Sequence, residues 1–493
     1  MSSIFQRLFR RQVSTQTLVS RSPLAVDPSC SLSGPSPESS SQSAFDTVYA
    51  AAADYAAAQD FERAIPLYDQ AIALNPARAE PHYKRANALK IVGRLQEALA
   101  GYDRAIERNA DYAHAYCNRG VVLQMLGRRE AALLSYDRAI KLDATDVMAH
   151  YNRALLMQEC ARWNEALASY DRAVELNPQF ADAQYNRSMA QLFLGDFESG
   201  WRGYEWRWVN AHRLGIGEAR TFAGRRWLGE ESIAGKRILL YSEAGLGDTL
   251  QFCRYATSCA RLGASVILEV PGVLRELLGS LEGASQVIAA GSPLPPFEFH
   301  CPLLSLPLAF KTTLNSIPAT AAYLRADQTK ISQWRARLGE PRRPRVGLVW
   351  SGNPKNPIDV HRSIRLADWL EQLPTGLEYY RLQTQVRDAD RVALDSDPRI
   401  ISFGDDLLDF DNTAALCMCM DVVVTVDTSL GHLAGALGQW TWLLLPQTPD
   451  FRWMRDRPDS PWYPSLKLYR QTAAGDWSGV FERVAADLRR EFD

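Results

Sequence analysis

Residues 422–435 have the sequence VVVTVDTSLGHLAG, and this stretch decides the fold of the C-terminal half. Its run of β-branched residues predicts a strand buried on both faces, as in a parallel sheet. Asp427, Thr428 and Ser429 end the strand, and a stretch with helical spacing that contains His432 follows. Open parallel sheets bind ligands at the carboxyl ends of their strands, and a helix N-terminus suits a phosphate or diphosphate. These four residues are therefore predicted to contact a nucleotide.

A pattern with a period of 34 residues fills the N-terminal part of the chain. The residues that recur in one register are Tyr68, Tyr102, Tyr136 and Tyr170; Ala64, Ala98, Ala132 and Ala166; and Ala71, Ala105, Ala139 and Ala173. This pattern resembles the tetratricopeptide repeat, in which pairs of antiparallel helices stack into a superhelix. We predict about five units over residues 45–212. Arg207 replaces the small residue of the last unit, as expected where another domain caps the solenoid.

Asparagine recurs at one position of three successive units, as Asn118, Asn152 and Asn186. Its side chain offers donors and an acceptor, so a ladder of asparagines could hold the backbone of an extended peptide. The alternative is that all three are solvated helix residues, and the spacing does not choose between them. The arrangement is similar to the asparagine ladder of O-linked N-acetylglucosamine transferase, which implies a protein or peptide partner on the concave face.

Composition limits the class of protein. A chain of 493 residues needs two or three globular units, and a net charge of −2 argues against nucleic acid as the main partner. The eight cysteines have no metal-binding spacing, which is typical of reduced core residues in an intracellular protein. We therefore expect a cytoplasmic protein without a metal, and no stretch is apolar for long enough to span a bilayer.

Residues 1–44 differ from the rest and are predicted to be a disordered tail rich in Ser and Pro. Within residues 1–26, Phe5 and Phe9 alternate with Arg7 and Arg10. The favoured interpretation is a solvated tail. The alternatives are weak contact with the inner face of a membrane through a basic amphipathic segment, and an organelle transit peptide.

Residues 201–228 are rich in aromatic residues and Arg, and a connector over 213–234 precedes a predicted βαβ unit within residues 235–330. The first turn of that unit, after a strand ending at Ser242, contains Gly245, Gly247 and Asp248. A dinucleotide fingerprint would need a third glycine where Leu250 stands, and Asp248 would repel a pyrophosphate. These departures argue against NAD, and no other cofactor is predicted.

Two roles stay open for Asp248 from the residues alone. A carboxylate at such a turn can act as the base that takes the proton of an attacking acceptor hydroxyl. Gly245 and Gly247 would then let the backbone approach the acceptor closely. Alternatively, Asp248 only caps the helix that begins near Thr249.

The pattern restarts in residues 343–490, where a strand from Arg345 to Trp350 is predicted. Asn353, Lys355 and Arg362 follow that strand. Their position after a strand end favours contact with an anion slightly over ordinary surface charge.

Residues 201–471 resemble the glycosyltransferase domain of the heptosyltransferase group, family 9. The segments that carry the resemblance are Gly245-Leu-Gly247-Asp248, Trp350-Ser-Gly-Asn353 with Arg362-Ser363, and Asp427-Thr428-Ser429 with His432. The resemblance implies a GT-B fold of two Rossmann-like domains and inverting, metal-independent transfer. It also implies that Asp248 is the base, that the turn from Asp427 to His432 holds the donor diphosphate, and that Asn353, Lys355 and Arg362 are further phosphate contacts.

Together these patterns predict an α solenoid followed by an α/β pair of Rossmann-like domains. The predicted function is transfer of a sugar from a nucleotide-diphosphate donor to a protein or glycan acceptor that the repeats help to recruit. The main alternative is a non-catalytic scaffold with a degenerate transferase-like domain. A Rossmann oxidoreductase ranks third because of the missing glycine. The prolines between Pro293 and Pro307, and Pro318, are expected to interrupt the first α/β half.

Overall fold

The structure is a computed structural model that describes residues 37–211, 220–356, 359–407 and 409–492. It divides into two compact units, Met1–Pro178 and Gln179–Asp493. The predictions for the basic N-terminal segment and its membrane contact lie outside the described residues. Among the described helices, none combines the length and the apolar character that crossing a bilayer requires.

The first unit contains eight described helices, and consecutive helices pack in pairs. Their bounds are Pro37–Ala57 (α1), Phe61–Leu74 (α2), Ala79–Ile91 (α3), Leu95–Arg108 (α4), Ala113–Met125 (α5), Arg129–Leu142 (α6), Val147–Glu159 (α7) and Trp163–Leu176 (α8). The tyrosines and alanines of the 34-residue register are buried, as the pattern predicts. Gly120 shows how tight the packing is, because a Cβ there would lie 2.5 Å from Cε1 of Tyr136.

The predicted disordered tail is wrong at its C-terminal end, because α1 begins at Pro37. Proline is favoured in the first turn of a helix, where its missing N–H costs nothing. Phe45 then anchors the helix: its ring stacks on Tyr49 at 5.6 Å, and the Arg78 guanidinium lies 4.5 Å from its centre. Disorder was predicted from the Ser-rich composition, which does not reveal the contacts that Phe45 makes.

The fifth helix pair belongs to the second unit. It consists of Ala181–Leu194 (α9) and Phe197–Tyr204 (α10), followed by a 3₁₀ turn over Glu205–Trp208. The buried Trp201 of α10 meets the rings of Phe252, Phe451 and Trp462 at 5.7–6.4 Å between centres. Its indole N–H donates to the carbonyl of Thr312 at 3.1 Å. The last repeat is therefore packed into the α/β part of the chain.

Two parallel sheets form the rest of the second unit. The strands of the first are Arg225–Arg226 (β1), Arg237–Tyr241 (β2), Ser265–Val270 (β3), Ala284–Ala289 (β4) and Phe299–Pro302 (β5), in the spatial order β1-β5-β2-β3-β4. Those of the second are Arg345–Val349 (β6), Glu378–Arg381 (β7), Ile400–Ile401 (β8), Val422–Val426 (β9), Thr441–Leu445 (β10) and Leu466–Arg470 (β11), in the order β11-β10-β9-β6-β7-β8. Counted along the chain, the second sheet has the order 3-2-1-4-5-6 of doubly wound folds.

Helices connect these strands. Their bounds are Leu246–Phe252 (α11), Tyr255–Arg261 (α12), Arg275–Leu278 (α13), Leu306–Ala309 (α14), Gln328–Leu338 (α15), Asp359–Arg362 (α16), Leu366–Leu370 (α17), Asp388–Ser396 (α18), Phe410–Cys417 (α19), Ser429–Ala436 (α20) and Ser478–Phe492 (α21). The helix expected to begin near Thr249 begins instead at Leu246, and a second helix, α12, follows it directly. The core of the second sheet includes the fully buried Trp350, Trp369 and Trp442.

The proline-rich stretch from Pro293 to Pro307 does not interrupt the first sheet. It contains β5, which lies between β1 and β2. Pro302 is the last residue of that strand. A proline can close a strand because the residue that ends the ladder need not donate a hydrogen bond.

Candidate functional site

The order of the second sheet reverses between β6 and β9. Such a switch point leaves a crevice outside the carboxyl ends of the two strands, where doubly wound folds bind ligands. The turn after β6 begins at Trp350, and the turn after β9 contains Asp427, Thr428 and Ser429. The two turns, and the donor residues predicted in them, therefore begin at the same edge of this sheet.

Helix α20 begins at this edge. Thr428 is its N-cap, and its hydroxyl accepts a hydrogen bond from the Leu430 N–H at 3.3 Å. Ser429 is the first residue of the helix and is half-buried. The strand and the helix predicted after residue 422 are present, and the positive end of the helix faces the switch point.

His432 is buried one turn into α20. Its Nδ1 lies 2.9 Å from the Tyr463 hydroxyl, and its ring stacks on Trp453 with 5.4 Å between centres. Burial lowers the pKa of His432 well below its usual range, and the cations of Arg452, Arg254 and Arg362 act in the same direction. The imidazole is therefore neutral near pH 7 and suits a hydrogen-bonding role better than an ionic one.

The Asp427 side chain is also buried. Burial raises the pKa of its carboxyl to about 6, and Asp450 adds to the shift, whereas Arg362 opposes it. The backbone carbonyl of Asp427 accepts a hydrogen bond from Nη1 of Arg362 at 2.6 Å. With a pKa of about 6, the Asp427 carboxyl is mostly ionised at pH 7, so the turn after β9 carries a negative charge near neutral pH.

Arg362 is the last residue of helix α16. Its Nε lies 3.2 Å from Oδ1 of the buried Asp359, which also accepts from Arg387. A Cβ on Gly352 would lie 2.4 Å from Asp359 Oδ1 and 2.7 Å from Arg362 Nη2, so a larger residue there would displace this ion pair. Two guanidiniums share one carboxylate, which leaves one excess positive charge beside the turn after β6.

Asn353 and Lys355 lie in the exposed part of that turn. The Asn353 Oδ1 accepts a hydrogen bond from the Lys355 backbone N–H at 3.0 Å. This Asx turn shapes the loop by itself. The structure therefore gives Asn353 a local role, and the phosphate contacts of Asn353 and Lys355 stay predictions.

Asp248 is the third residue of α11. Its Oδ2 accepts a hydrogen bond from the Gly245 N–H at 2.9 Å, and its Oδ1 accepts from Arg452. The capping role is thus present, although the helix begins three residues before Thr249. About a quarter of the side chain is exposed (26%), so the carboxylate is still accessible to an acceptor.

Arg452 is a site residue that the sequence did not single out. It is buried, and its guanidinium also donates to Asp450 at 2.8 Å and to the Gln251 amide oxygen at 2.5 Å. It stands in a segment dense in Pro, Trp and charge. Its ion pair with Asp248 could not be predicted from periodicity, because the two residues are far apart in the chain.

Gly247 brings the Asp248 turn and helix α20 together. A Cβ at position 247 would lie 2.7 Å from Cδ2 of His432 and 3.5 Å from the Ser429 Cα. The turn that carries the predicted base is therefore in direct contact with the predicted donor helix.

The three asparagines of the repeats are not equivalent. Asn118 donates to the Tyr83 hydroxyl at 2.9 Å and to the Asn87 amide oxygen at 3.0 Å, and it accepts from the Lys90 ammonium at 3.3 Å. Asn152 is buried, with its Oδ1 unpaired within the protein. Asn186 is half-buried in the second unit. The three amides therefore differ in burial and in partners, and peptide binding stays a prediction.

Metal ligands do not cluster in the part of the chain that the structure describes. No group of three or more His, Cys, Asp or Glu residues there could hold a metal ion.

Family models for known repeats match three segments of the chain. A model described as a TPR repeat matches residues 87–127, and two models described as tetratricopeptide repeats match residues 113–146 and 158–199. The 34-residue units of the N-terminal part are therefore tetratricopeptide repeats, and the chain continues into parallel sheets with helices of an α/β kind.

Protein FlbA of Caulobacter vibrioides (strain ATCC 19089 / CIP 103742 / CB 15) is 27% identical to this chain over 327 residues. The match covers 60% of this chain and 53% of FlbA, so the chain spans about half the length of this relative. A match of that extent is longer than the repeats, and the similarity continues into the parallel-sheet part.

Two solved structures of repeat proteins are also similar. The crystal structure of YrrB, described as a TPR protein with an unusual peptide-binding site, is 23% identical, covers 32% of this chain and 82% of YrrB, and has a TM-score of 0.29. PilW, described as a widely conserved type IV pilus biogenesis factor, is 18% identical, covers 36% of this chain and 80% of PilW, and has a TM-score of 0.32.

Proposed function

We propose that the protein is an inverting glycosyltransferase of the GT-B type, which moves a sugar from a nucleotide-diphosphate donor to a protein or glycan acceptor. The observation that carries the proposal is the contact of Gly247 with His432 and Ser429. It sets one carboxylate, that of Asp248, beside the N-terminus of helix α20. A transferase needs these two elements within one substrate length of each other.

The donor diphosphate binds at the switch point of the second sheet. The N-terminal dipole of α20 and the excess positive charge of Arg362 and Arg387 beside Asp359 attract it. The backbone carbonyl of Asp427 accepts a hydrogen bond from Arg362 and so holds this guanidinium at the turn after β9. The neutral His432 and the hydroxyl of Ser429 supply hydrogen bonds.

The sugar is displaced directly at its anomeric carbon. The acceptor oxygen forms a bond to that carbon, the bond to the diphosphate breaks, and Asp248 takes the acceptor proton. The electron pair leaves with the nucleoside diphosphate, whose charge α20 and the neighbouring arginines stabilise. Arg452 holds the Asp248 carboxylate in place through the ion pair between them.

The repeats recruit the acceptor. Asn118 with Tyr83 and Lys90 supplies polar groups of the first unit for a peptide backbone. A protein partner is thus proposed for the repeats, and location in the cytoplasm stays a prediction.

An assay of sugar transfer tests the proposal. We expect the full chain, incubated with cell extract and a panel of nucleotide sugars, to attach a hexose or aminosugar that mass spectrometry detects. Asp248→Asn removes the base but keeps the shape of the side chain, so transfer falls by about 10²–10⁴-fold while nucleotide binding persists. Asp476→Asn, an exposed acid of the same unit, is the control and keeps full activity. Equal transfer by Asp248→Asn and the wild type would refute the role of Asp248 as the base.

The competing function is a scaffold that has lost catalysis. Its basis is that Asp248 already has two partners, the Gly245 N–H and Arg452, as a structural cap would. A scaffold predicts partner capture by the repeats without any nucleotide binding, which separates it from the transferase.

A further inference from the structure

Arg207 occupies a position at which the repeat pattern calls for a small residue. The equivalent residues Ala71, Ala105, Ala139 and Ala173 are fully buried, and so is Arg207, at 0% exposure. Burying a guanidinium costs several kcal/mol unless acceptors surround it. A cap of a solenoid needs only a polar outer face. The arginine therefore requires an explanation beyond capping.

The guanidinium of Arg207 joins the last repeat to the first sheet. Its Nη1 donates to Glu205 at 2.5 Å, and its Nη2 donates to Ser305 at 2.7 Å and to Glu243 at 3.0 Å. Ser305 donates in turn to Glu205 at 2.8 Å, and Arg226 also pairs with Glu205. When Glu243 is ionised, two cations and two carboxylates balance each other within this cluster.

Glu243 lies at the switch point of the first sheet, where the order changes between β2 and β5. It follows β2, and its Oε1 also accepts a hydrogen bond from the N–H of Leu304, which follows β5, at 3.1 Å. Only 2% of its side chain is exposed, and its Oε2 is buried without a partner. Burial raises the pKa of Glu243 to about 7, against the effect of Arg207.

Glu243 and Asp248 stand at the two ends of one turn. Arg207 and Leu304 hold the start of the turn through Glu243. At its end, Asp248 bonds to the Gly245 N–H and pairs with Arg452. A shift at Glu243 would therefore move the backbone that carries the Asp248 carboxylate.

We propose that Arg207 and Glu243 are positioning residues for Asp248, so that the last helix pair of the repeats is an integral part of the site. The role of Asp248 as a base rests on the proposed function, whereas the structural connection from Arg207 through Glu243 to the turn does not. Arg207 fixes Glu243, Glu243 fixes the start of the Gly-rich turn, and the turn sets the direction of the carboxylate.

Hydrogen exchange tests the link without any substrate. Glu243→Gln keeps the size of the side chain but loses the charge that binds Arg207. We expect the backbone amides of residues 245–248 to exchange at least about tenfold faster in this variant. Glu269→Gln is the matched control, since Glu269 lies in β3 of the same sheet with 2% of its side chain exposed and pairs with Arg220. Equal exchange of residues 245–248 in both variants overturns the proposal.

A double variant separates positioning from stability. Arg207→Met leaves Glu243 buried and unpaired, so the melting temperature falls; adding Glu243→Gln removes the second charge and restores it in part. If Arg207 and Glu243 position the turn, the backbone amides of residues 245–248 still exchange fast in the double variant. Recovery of their protection together with the melting temperature would show that the pair only stabilises the fold.

Transfer assays then distinguish the two proposals. If transfer occurs, Glu243→Gln lowers kcat at least about tenfold and changes the Kd of a nucleoside diphosphate by less than about twofold. Full kcat in this variant overturns the positioning role. If the wild type transfers no sugar, the proposed function is refuted. If residues 245–248 nevertheless exchange faster in Glu243→Gln, the structural connection from Arg207 through Glu243 to the turn still holds.

Discussion

A Cβ atom at position 247 would lie 2.7 Å from Cδ2 of His432, so Gly247 and His432 touch where the first turn of one sheet meets the helix after β9 of the other. His432 has no room to yield, because its Nδ1 is bonded to Tyr463 and its ring is stacked on Trp453. The predicted base and the predicted donor helix depend on this contact for their spacing.

Gly247→Ala is therefore expected to destabilise the protein by about 1–3 kcal/mol, the usual cost of overpacking. At an ordinary helix position the same change would stabilise, because alanine is the better helix former. Urea denaturation measures the free energy of unfolding. Gly272→Ala is the control, since its nearest neighbour would be Ala289 Cβ at 4.0 Å. A Gly247→Ala variant as stable as the wild type would contradict the close contact.

Trp201 anchors the last helix pair to the α/β part of the second unit. Trp201→Ala should cost about 3–5 kcal/mol, the range for truncating a buried aromatic residue. Trp440→Ala should cost far less, because Trp440 is 37% exposed. The free energy of unfolding of both variants checks this, and similar values for the two would mean that α10 adds little to the unit.

Asp427 makes stability depend on pH. Its pKa is raised from 3.8 to about 6 in the folded state, mainly by burial. Between these two values the unfolded chain has lost the proton that the folded state keeps, so rising pH destabilises the protein. The stability gap between Asp427→Asn and the wild type should therefore shift in favour of the variant by on the order of 1–3 kcal/mol from pH 4 to pH 6.5. Urea titrations at several pH values measure it, and a gap that does not vary with pH would count against a buried, protonated Asp427.

The sequence predicted the elements whose pattern is local. The 34-residue register, the strand at 422–426 and the helix that follows it can be predicted from periodicity and from the residue types at a strand end. The start of α1 at Pro37 was missed because its anchor, the contact of Arg78 with Phe45, joins residues far apart in sequence. The strand β5 was missed because prolines surround it.

Charged contacts at the site were the least predictable. Asp248 and Arg452, and Arg207 and Glu243, are pairs of residues distant in the chain, and each arginine is buried. The departure at position 207 was visible in the sequence as a broken repeat, but only the structure identifies its partner. Asn118 stood out by its period, and its bonds to Tyr83 and Asn87 again come from neighbouring repeats.

Calorimetric titration of the full chain with UDP, GDP, ADP, CDP and dTDP tests the central claim most directly. We predict that at least one of them binds, and that Arg362→Met and His432→Ala each weaken its Kd by at least about tenfold, which is about 1.4 kcal/mol. Arg391→Met, which changes an exposed arginine of the same unit, should leave the Kd unchanged. Binding of none of the five to the wild type, or equal binding by all variants, would contradict a nucleotide-sugar site at the switch point of the second sheet.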